Sequence, residues 1–324
     1  MVYMLKQLIF LSCLILFPLP FSMASELEQK LEFEWQQTKE RYLQLDSTYT
    51  EKNEYQRPRY RLSSTKKASE IVYILHGFMG SPYEMKGFEE TALKKGLDVY
   101  NDLIFGYGDR AELANKTKYD DWLALFQKKL DLILGHYDKV HLVGFSTGGL
   151  MISTTLKQRP VLLTKVASIT LVSPFFEPDL PLASFLLKCL MFFTDSVKSS
   201  LPHSLIRYPD VVVMMNHPDY FMQRIPLRAA AEVMRMGYDF QDQFEDKWQN
   251  QAVSLENNIQ IHLTENDRVL EFDFSQEFLK ELYPNATISV YQGEKAPHHL
   301  MVPSVSKEAE KIYRDDFLNF KTRN

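Results

Sequence analysis

The sequence predicts an α/β fold with a mostly parallel, doubly wound sheet, on three observations. Short apolar runs alternate with helix-period segments along most of residues 70–320. One run, Val140 to Phe145, passes through Gly144-Phe145-Ser146-Thr147-Gly148 directly into a helical pattern. The alternation breaks once, between Ser173 and about Ser254, where Pro-punctuated apolar helices take over. Consecutive strand and helix units of this length connect by right-handed crossovers, which place helices on both faces of the sheet.

Composition permits this. The chain has 324 residues, 45% hydrophobic and 24% charged, enough to bury a large core and too apolar for disorder. Its net charge of -5, with no block of like charge, lacks the basic footprint of a nucleic-acid binder. No repeat of fixed period is present.

The first 24 residues read as a signal peptide: Lys6 precedes an apolar run from Leu8 to Phe17, too short to span a bilayer, and Ser22 and Ala24 form a small-x-small cleavage pattern. Export to the periplasm or outside the cell is the expectation. A retained hydrophobic anchor and lipid attachment at Cys13 are the alternatives. Cleavage after Ala24 leaves Cys189 alone, so no intrachain disulfide forms. Residues 25–57 then form an N-terminal helical segment. Leu27, Leu31, Trp35, Tyr42 and Leu45 recur at near-helical spacing, and Ser25 can cap with Glu28 three residues on. This helix is expected to pack on the main domain.

The first part of the core covers 58–173. Arg59 to Ser63 alternates weakly, as an edge strand does. Strands are predicted at Glu70 to Leu75, Asp98 to Phe105, Lys139 to Phe145 and Ser168 to Val172. Helices are predicted at Met85 to Lys95, Tyr119 to Leu134 and Gly149 to Lys157. The second part, 255–324, adds strands Ile259 to Thr264 and Thr287 to Tyr291. Its helices are Ser275 to Leu282 and one near Ser306 to Phe320.

The chemistry centres on Ser146. A strand running into Gly-x-Ser-x-Gly and then a helix is the nucleophile-elbow pattern in the context that gives it meaning. The tight turn strains the serine backbone and raises Oγ above the sheet, while side chains at 144 and 148 would collide with neighbouring elements. The helix directs backbone N–H groups at the oxygen that becomes charged, with Thr147 as one donor.

On these residues the chain resembles the serine α/β-hydrolase fold family, in its carboxylesterase, monoacylglycerol lipase and lysophospholipase-like branch. The resemblance covers most of residues 70–320. His76-Gly77-Phe78-Met79-Gly80-Ser81-Pro82 is similar to the family's loop after this strand, which implies that Phe78 supplies the second oxyanion N–H and that His76 props the loop. Phe105-Gly106-Tyr107-Gly108 stands where relatives carry Gly-His-Gly, with Tyr107 replacing the histidine.

A serine nucleophile needs a base, and the base an orienting carboxylate, in the chain order Ser, acid, His for this fold. The strand Ile261 to Thr264 ends in Glu265-Asn266-Asp267-Arg268-Val269, similar to the family's Gly-x-x-Asp-x-Val, which points to Asp267. Glu265 is the alternative acid, and Asp267 could instead cap a helix. After Thr287 to Tyr291 come Ala296-Pro297-His298-His299-Leu300-Met301. Relatives tend to show a small or polar residue, then His, then two apolar residues, so the resemblance implies His299 as base, with His298 as the alternative. The interval between serine and acid holds the insertion, 174–254, read as a helical cap inserted after strand six. Its apolar runs at 183–193, 211–215 and Leu227 to Met236 suit an acyl pocket, with most of them expected to be cap core, and Cys189 reads as a buried apolar residue.

The expected activity is therefore hydrolysis of carboxylic esters, of acyl or lipid-like substrates, through Ser146, Asp267 and His299, with Phe78 and Thr147 N–H as oxyanion hole. Thioesterase, peptidase or acyltransferase chemistry on the same triad is the alternative, and a non-catalytic binding protein a further one. The mechanism requires no cofactor and no metal, and no H-E-x-x-H spacing occurs. The expected partner is a small ester or lipid substrate, with transient contact to a lipid surface.

Overall fold

The computed structural model describes residues 26–64, 68–108, 110–178, 200–202, 220–245, 258–292, 298–300, 302, 306, 309–312 and 317–318. The leader at 1–24 with Cys13, and the cap runs at 183–193 and 211–215 with Cys189, lie outside the described residues.

The α/β expectation holds. Strands β1 (Arg59–Arg61), β2 (Glu70–Leu75), β3 (Asp98–Asp102), β4 (Lys139–Phe145), β5 (Val166–Val172), β8 (Ile259–Thr264) and β9 (Thr287–Tyr291) form one sheet in the order β1-β3-β2-β4-β5-β8-β9. A separate ribbon pairs β6 (Ser200–Pro202) with β7 (Arg224–Pro226). In the main sheet β1 is antiparallel to β3, and the other pairings are parallel. Among the described residues the α-helices are α1 (Glu26–Leu45), α2 (Lys86–Lys94), α3 (Ala111–Ala114), α4 (Tyr119–Leu134), α5 (Thr147–Gln158), α6 (Leu227–Gln243), α7 (Phe272–Leu282) and α8 (Ala309–Lys311).

The period-two geometry of β2 explains the two core layers. Ile71, Tyr73 and Leu75 join the layer containing Trp122, Phe126 and Leu150. Val72 and Ile74 join the opposite layer with Phe88, Phe145 and Phe317. A strand buried on both faces must be apolar at every position, which is why its sequence shows a run rather than an alternation.

β3 is shorter than predicted, stopping at Asp102 rather than Phe105. The Asp102 carboxylate accepts the Leu103 N–H at 2.9 Å and the Tyr73 hydroxyl at 2.7 Å, and pairs with Lys129 Nζ at 2.6 Å. Tyr107 N–H then bonds Ile104 C=O at 2.9 Å, so the apolar residues 103–105 turn instead of extending the ladder.

α1 packs as expected, burying Leu27, Leu31, Trp35 and Tyr42. It also supports a loop: Tyr42 Oη accepts the Gly106 N–H at 2.8 Å and its ring stacks on Phe105 at 5.1 Å. A groove of about 540 Å³ bordered by Leu31, Trp35, Arg57 and Tyr60 lies beside β1, at the sheet edge and not at the Ser146 turn.

α6, within the predicted cap interval, packs on the body rather than standing off it. Ala229, Val233, Met234, Met236 and Phe240 are buried, and Phe240 meets Phe176 at 5.4 Å and Phe278 at 5.9 Å. Just before it, Met222 N–H bonds Met79 C=O at 3.1 Å and Tyr220 stacks on Tyr83 at 3.9 Å. The described end of the insertion is thereby tied to the loop after β2.

Candidate active site

The C-terminal ends of β2, β4, β8 and β9 supply the site. At the end of β4, Ser146 has φ 47° and ψ −114°, a left-handed conformation that costs a non-glycine residue energy. The strain persists because both sides are clamped. Ser146 N–H bonds Val172 C=O at 3.0 Å, and Ser146 C=O accepts Leu150 N–H and Phe175 N–H, each at 3.1 Å. A Cβ at Gly148 would lie 2.6 Å from Leu75 O, and one at Gly144 would lie 2.7 Å from Gly149 N, so the close crossing of strand and helix demands glycine at both. α5 starts at Thr147, two residues earlier than predicted, which puts the Thr147 N–H in its first turn where helix donors lack intrahelical partners.

The loop after β2 is equally constrained. His76 Nε2 accepts the Ile104 N–H at 3.0 Å, leaving Nδ1–H to donate to Gly77 C=O at 2.8 Å. Burial pushes its pKa down to about 4, so the ring is neutral, as that tautomer requires. The prop role implied by the resemblance agrees with these bonds. Tyr107 packs against both His76 and Phe78, at 5.8 and 6.0 Å between rings. Gly77 adjoins the nucleophile: a Cβ there would fall 3.3 Å from Ser146 Cβ.

Asp267 sits in the turn after β8 and is 6% exposed. Its Oδ1 accepts the N–H groups of Val269 at 2.8 Å and Leu270 at 3.1 Å, which holds the carboxylate still and leaves Oδ2 for a histidine. The helix-cap alternative fails, since Glu271 caps α7 through the Phe274 N–H. Glu265 and Asp273 are exposed.

The histidine bonded to Asp267 is His298, not His299. His298 Nδ1 lies 2.8 Å from Asp267 Oδ2. His299 Nε2 instead faces Glu84 Oε1 at 3.6 Å. The two imidazoles stand at 86° to each other, and Phe145, the residue before the serine, touches both at 5.0 Å. The expectation for His299 is corrected on this geometry: in the tight turn closed by Leu300 N–H to His298 C=O at 2.9 Å the two adjacent side chains diverge, and the one that reaches the fixed carboxylate is His298. The apolar residues that follow in sequence, used to choose His299, report burial of Leu300 rather than the direction of either ring.

Sequence reasoning also missed Glu84, which is 4% exposed inside the loop after β2. Its signal was slight, a lone acid after Ser81-Pro82 in an otherwise apolar turn.

Residues 66–302 match the profile of the serine aminopeptidase S33 family of hydrolases. The chain belongs to that family. Over 78 residues it is 28% identical to the thermostable monoacylglycerol lipase of Bacillus sp. (strain H-257), a match spanning 24% of this chain and 31% of that lipase. Among solved structures, the hydrolase resembles the monoacylglycerol lipase of Paleococcus ferrophilus, with TM-score 0.60 and 19% identity over 79% of this chain and 95% of that one. It also resembles the monoglyceride lipase of Saccharomyces cerevisiae, with TM-score 0.59 and 12% identity over 83% and 96%. At those identities the structural likeness speaks for the α/β-hydrolase fold.

Proposed function

We propose that this S33 hydrolase cleaves carboxylic esters of acyl substrates, monoacylglycerols among them, through Ser146, His298 and Asp267. The observation carrying the proposal is the strained Ser146 turn opening a helix, whose preceding residue Phe145 lies 5.0 Å ring to ring from a histidine held by a buried, twice-bonded aspartate. With Nδ1 bonded to Asp267, His298 acts as the base that takes the Ser146 proton through Nε2 as Oγ attacks the ester carbonyl. The oxyanion is held by the N–H groups of Phe78 and Thr147. His298 then protonates the leaving alcohol, and water, deprotonated by the same nitrogen, releases the acid from the acyl-enzyme.

Apolar groups around the loops suit an acyl chain: Met79 and Met222 are joined through the backbone, and Phe175 and Phe176 follow β5. The test is turnover of p-nitrophenyl esters from two to sixteen acyl carbons and of monoacylglycerols, beside matched thioesters and amides. Ester activity that vanishes in Ser146→Ala supports the reading, and preferred cleavage of amides or thioesters overturns it in favour of the peptidase or thioesterase alternative.

A further inference from the structure

The proposed triad leaves a buried acid unused. Glu84 occupies the short turn Pro82–Met85, and its Oε2 accepts the Gly77 N–H at 2.7 Å while Oε1 faces His299 Nε2 at 3.6 Å. The chain wraps this carboxyl closely: a Cβ on Gly80 would lie 2.4 Å from Glu84 Oε2. Burial raises its pKa to about 7, against the lowering influence of His299. Burying a carboxyl is unfavourable unless its partners compensate, so the place where those partners lie is informative.

They lie on the two loops that flank Ser146. The peptide between Gly77 and Phe78 carries the candidate oxyanion N–H on one edge and the Gly77 C=O on the other, and a trans peptide points these in opposite directions. The Gly77 C=O is held by His76 Nδ1–H at 2.8 Å and Gly80 N–H at 3.3 Å. The preceding peptide is held through its own N–H by Glu84. With both peptide planes pinned, the direction of the Phe78 N–H is set before substrate arrives. The other oxygen of the same carboxyl lies 3.6 Å from His299 Nε2, at ion-pair rather than hydrogen-bond distance, and the neighbour of His299 is the histidine bonded to Asp267.

We infer that Glu84 and His299 form a positioning pair that locks the oxyanion loop, residues 77–80, to the base-bearing segment, residues 298–300. This rests on the ester-hydrolase reading above. In this role both residues act through their neighbours and not on the reacting atoms. Glu84 orients the Phe78 donor, and His299 ties that donor's support to the segment presenting His298.

The test compares Glu84→Ala, Glu84→Gln, Gly80→Ala and His299→Ala with the parent. Active sites are counted by complete labelling with a fluorophosphonate, so that unfolded protein drops out of each rate. Glu84→Ala should lower kcat by about 10- to 100-fold, the scale of a disturbed oxyanion donor, with KM within about threefold. Affinity for an alkylboronic acid, which mimics the tetrahedral state, should fall with kcat. Glu84→Gln retains an acceptor for the Gly77 N–H and should recover kcat to within a few-fold. Gly80→Ala displaces the carboxyl by contact and should reproduce the loss even if Glu84→Ala folds poorly. His299→Ala should lose less than Glu84→Ala.

Parental kcat in Glu84→Ala or Gly80→Ala overturns the proposal, as does a loss borne by KM alone. A Gln variant as impaired as the Ala variant also overturns it. The rate of Ser146 phosphonylation reads the same loop without an ester. If the parent cleaves no ester, the function reading fails, whereas slower phosphonylation in Glu84→Ala still supports the pair and an unchanged rate refutes it.

Discussion

Among the described residues, a serine with a histidine–acid pair near it occurs toward each end of one sheet. At the C-terminal end stand Ser146, His298 and Asp267. At the N-terminal end, Ser168 Oγ lies 2.7 Å from His141 Nδ1, and His141 Nε2 lies 2.8 Å from Glu70 Oε2. The lower group has residue types and hydrogen bonds that a nucleophilic site would use, and what it lacks is backbone. Ser168 is an interior residue of β5, paired in register with His141 of β4, so its peptide groups belong to the ladder. Ser146 interrupts the ladder with positive φ and opens α5, which leaves N–H groups free to face a developing charge. Hydrogen-bonded side chains do not make a nucleophile; a turn that leaves the ladder with helix donors beside it does.

The largest effect expected from this contrast is in Ser146→Ala, which should lower kcat/KM on a reactive ester by at least about 10⁴-fold, whereas Ser168→Ala should leave it within about twofold. Comparable loss in both would erase the distinction. His298→Ala should lose roughly 10³-fold or more and His299→Ala about tenfold or less, measured as kcat per labelled site. The reverse order would restore His299 as the base.

A smaller contrast concerns strain. Ser146→Gly relieves the positive φ and should stabilise the fold by about 1 kcal/mol while abolishing turnover, whereas Ser168→Gly, mid-strand, should destabilise it. Denaturant melts would decide, and a destabilised Ser146→Gly would mean that the turn is not strained.

The smallest effect is on acid stability. Burial lowers the His141 pKa, outweighing the pull of Glu70, so the folded chain favours the neutral ring. Its contribution is full above the unfolded value of 6.5 and is lost as pH falls below that value toward the lower folded pKa. His141→Gln should therefore show a shallower decline of Tm from pH 7 to pH 5 than the parent, at unchanged kcat. A steeper decline would reverse the assigned direction of the shift.

Much of the architecture was legible because periodicity and punctuation are local. The runs at Glu70 to Leu75 and Lys139 to Phe145 form central strands, and Gly-x-Ser-x-Gly is bent as the close contacts at Gly144 and Gly148 require. The carboxylate that meets His298 stands where the likeness to the family's Gly-x-x-Asp-x-Val segment pointed, because an acidic turn after an apolar strand is a local pattern. The end of β3 was not, since it depends on Asp102 meeting Lys129 and Tyr73 from distant segments.

The sequence by itself determined the fold class, the strand–turn–helix bend at Ser146 and the acidic turn after β8, since each is a short-range relation among neighbouring residues. Which of two adjacent histidines meets Asp267, and that the other meets Glu84, only the tertiary structure decided. Neighbouring residues share nearly the same position along the chain, and what separates them is the direction of each side chain. That direction is chosen by partners contributed from β8 and from the loop after β2, far away in sequence.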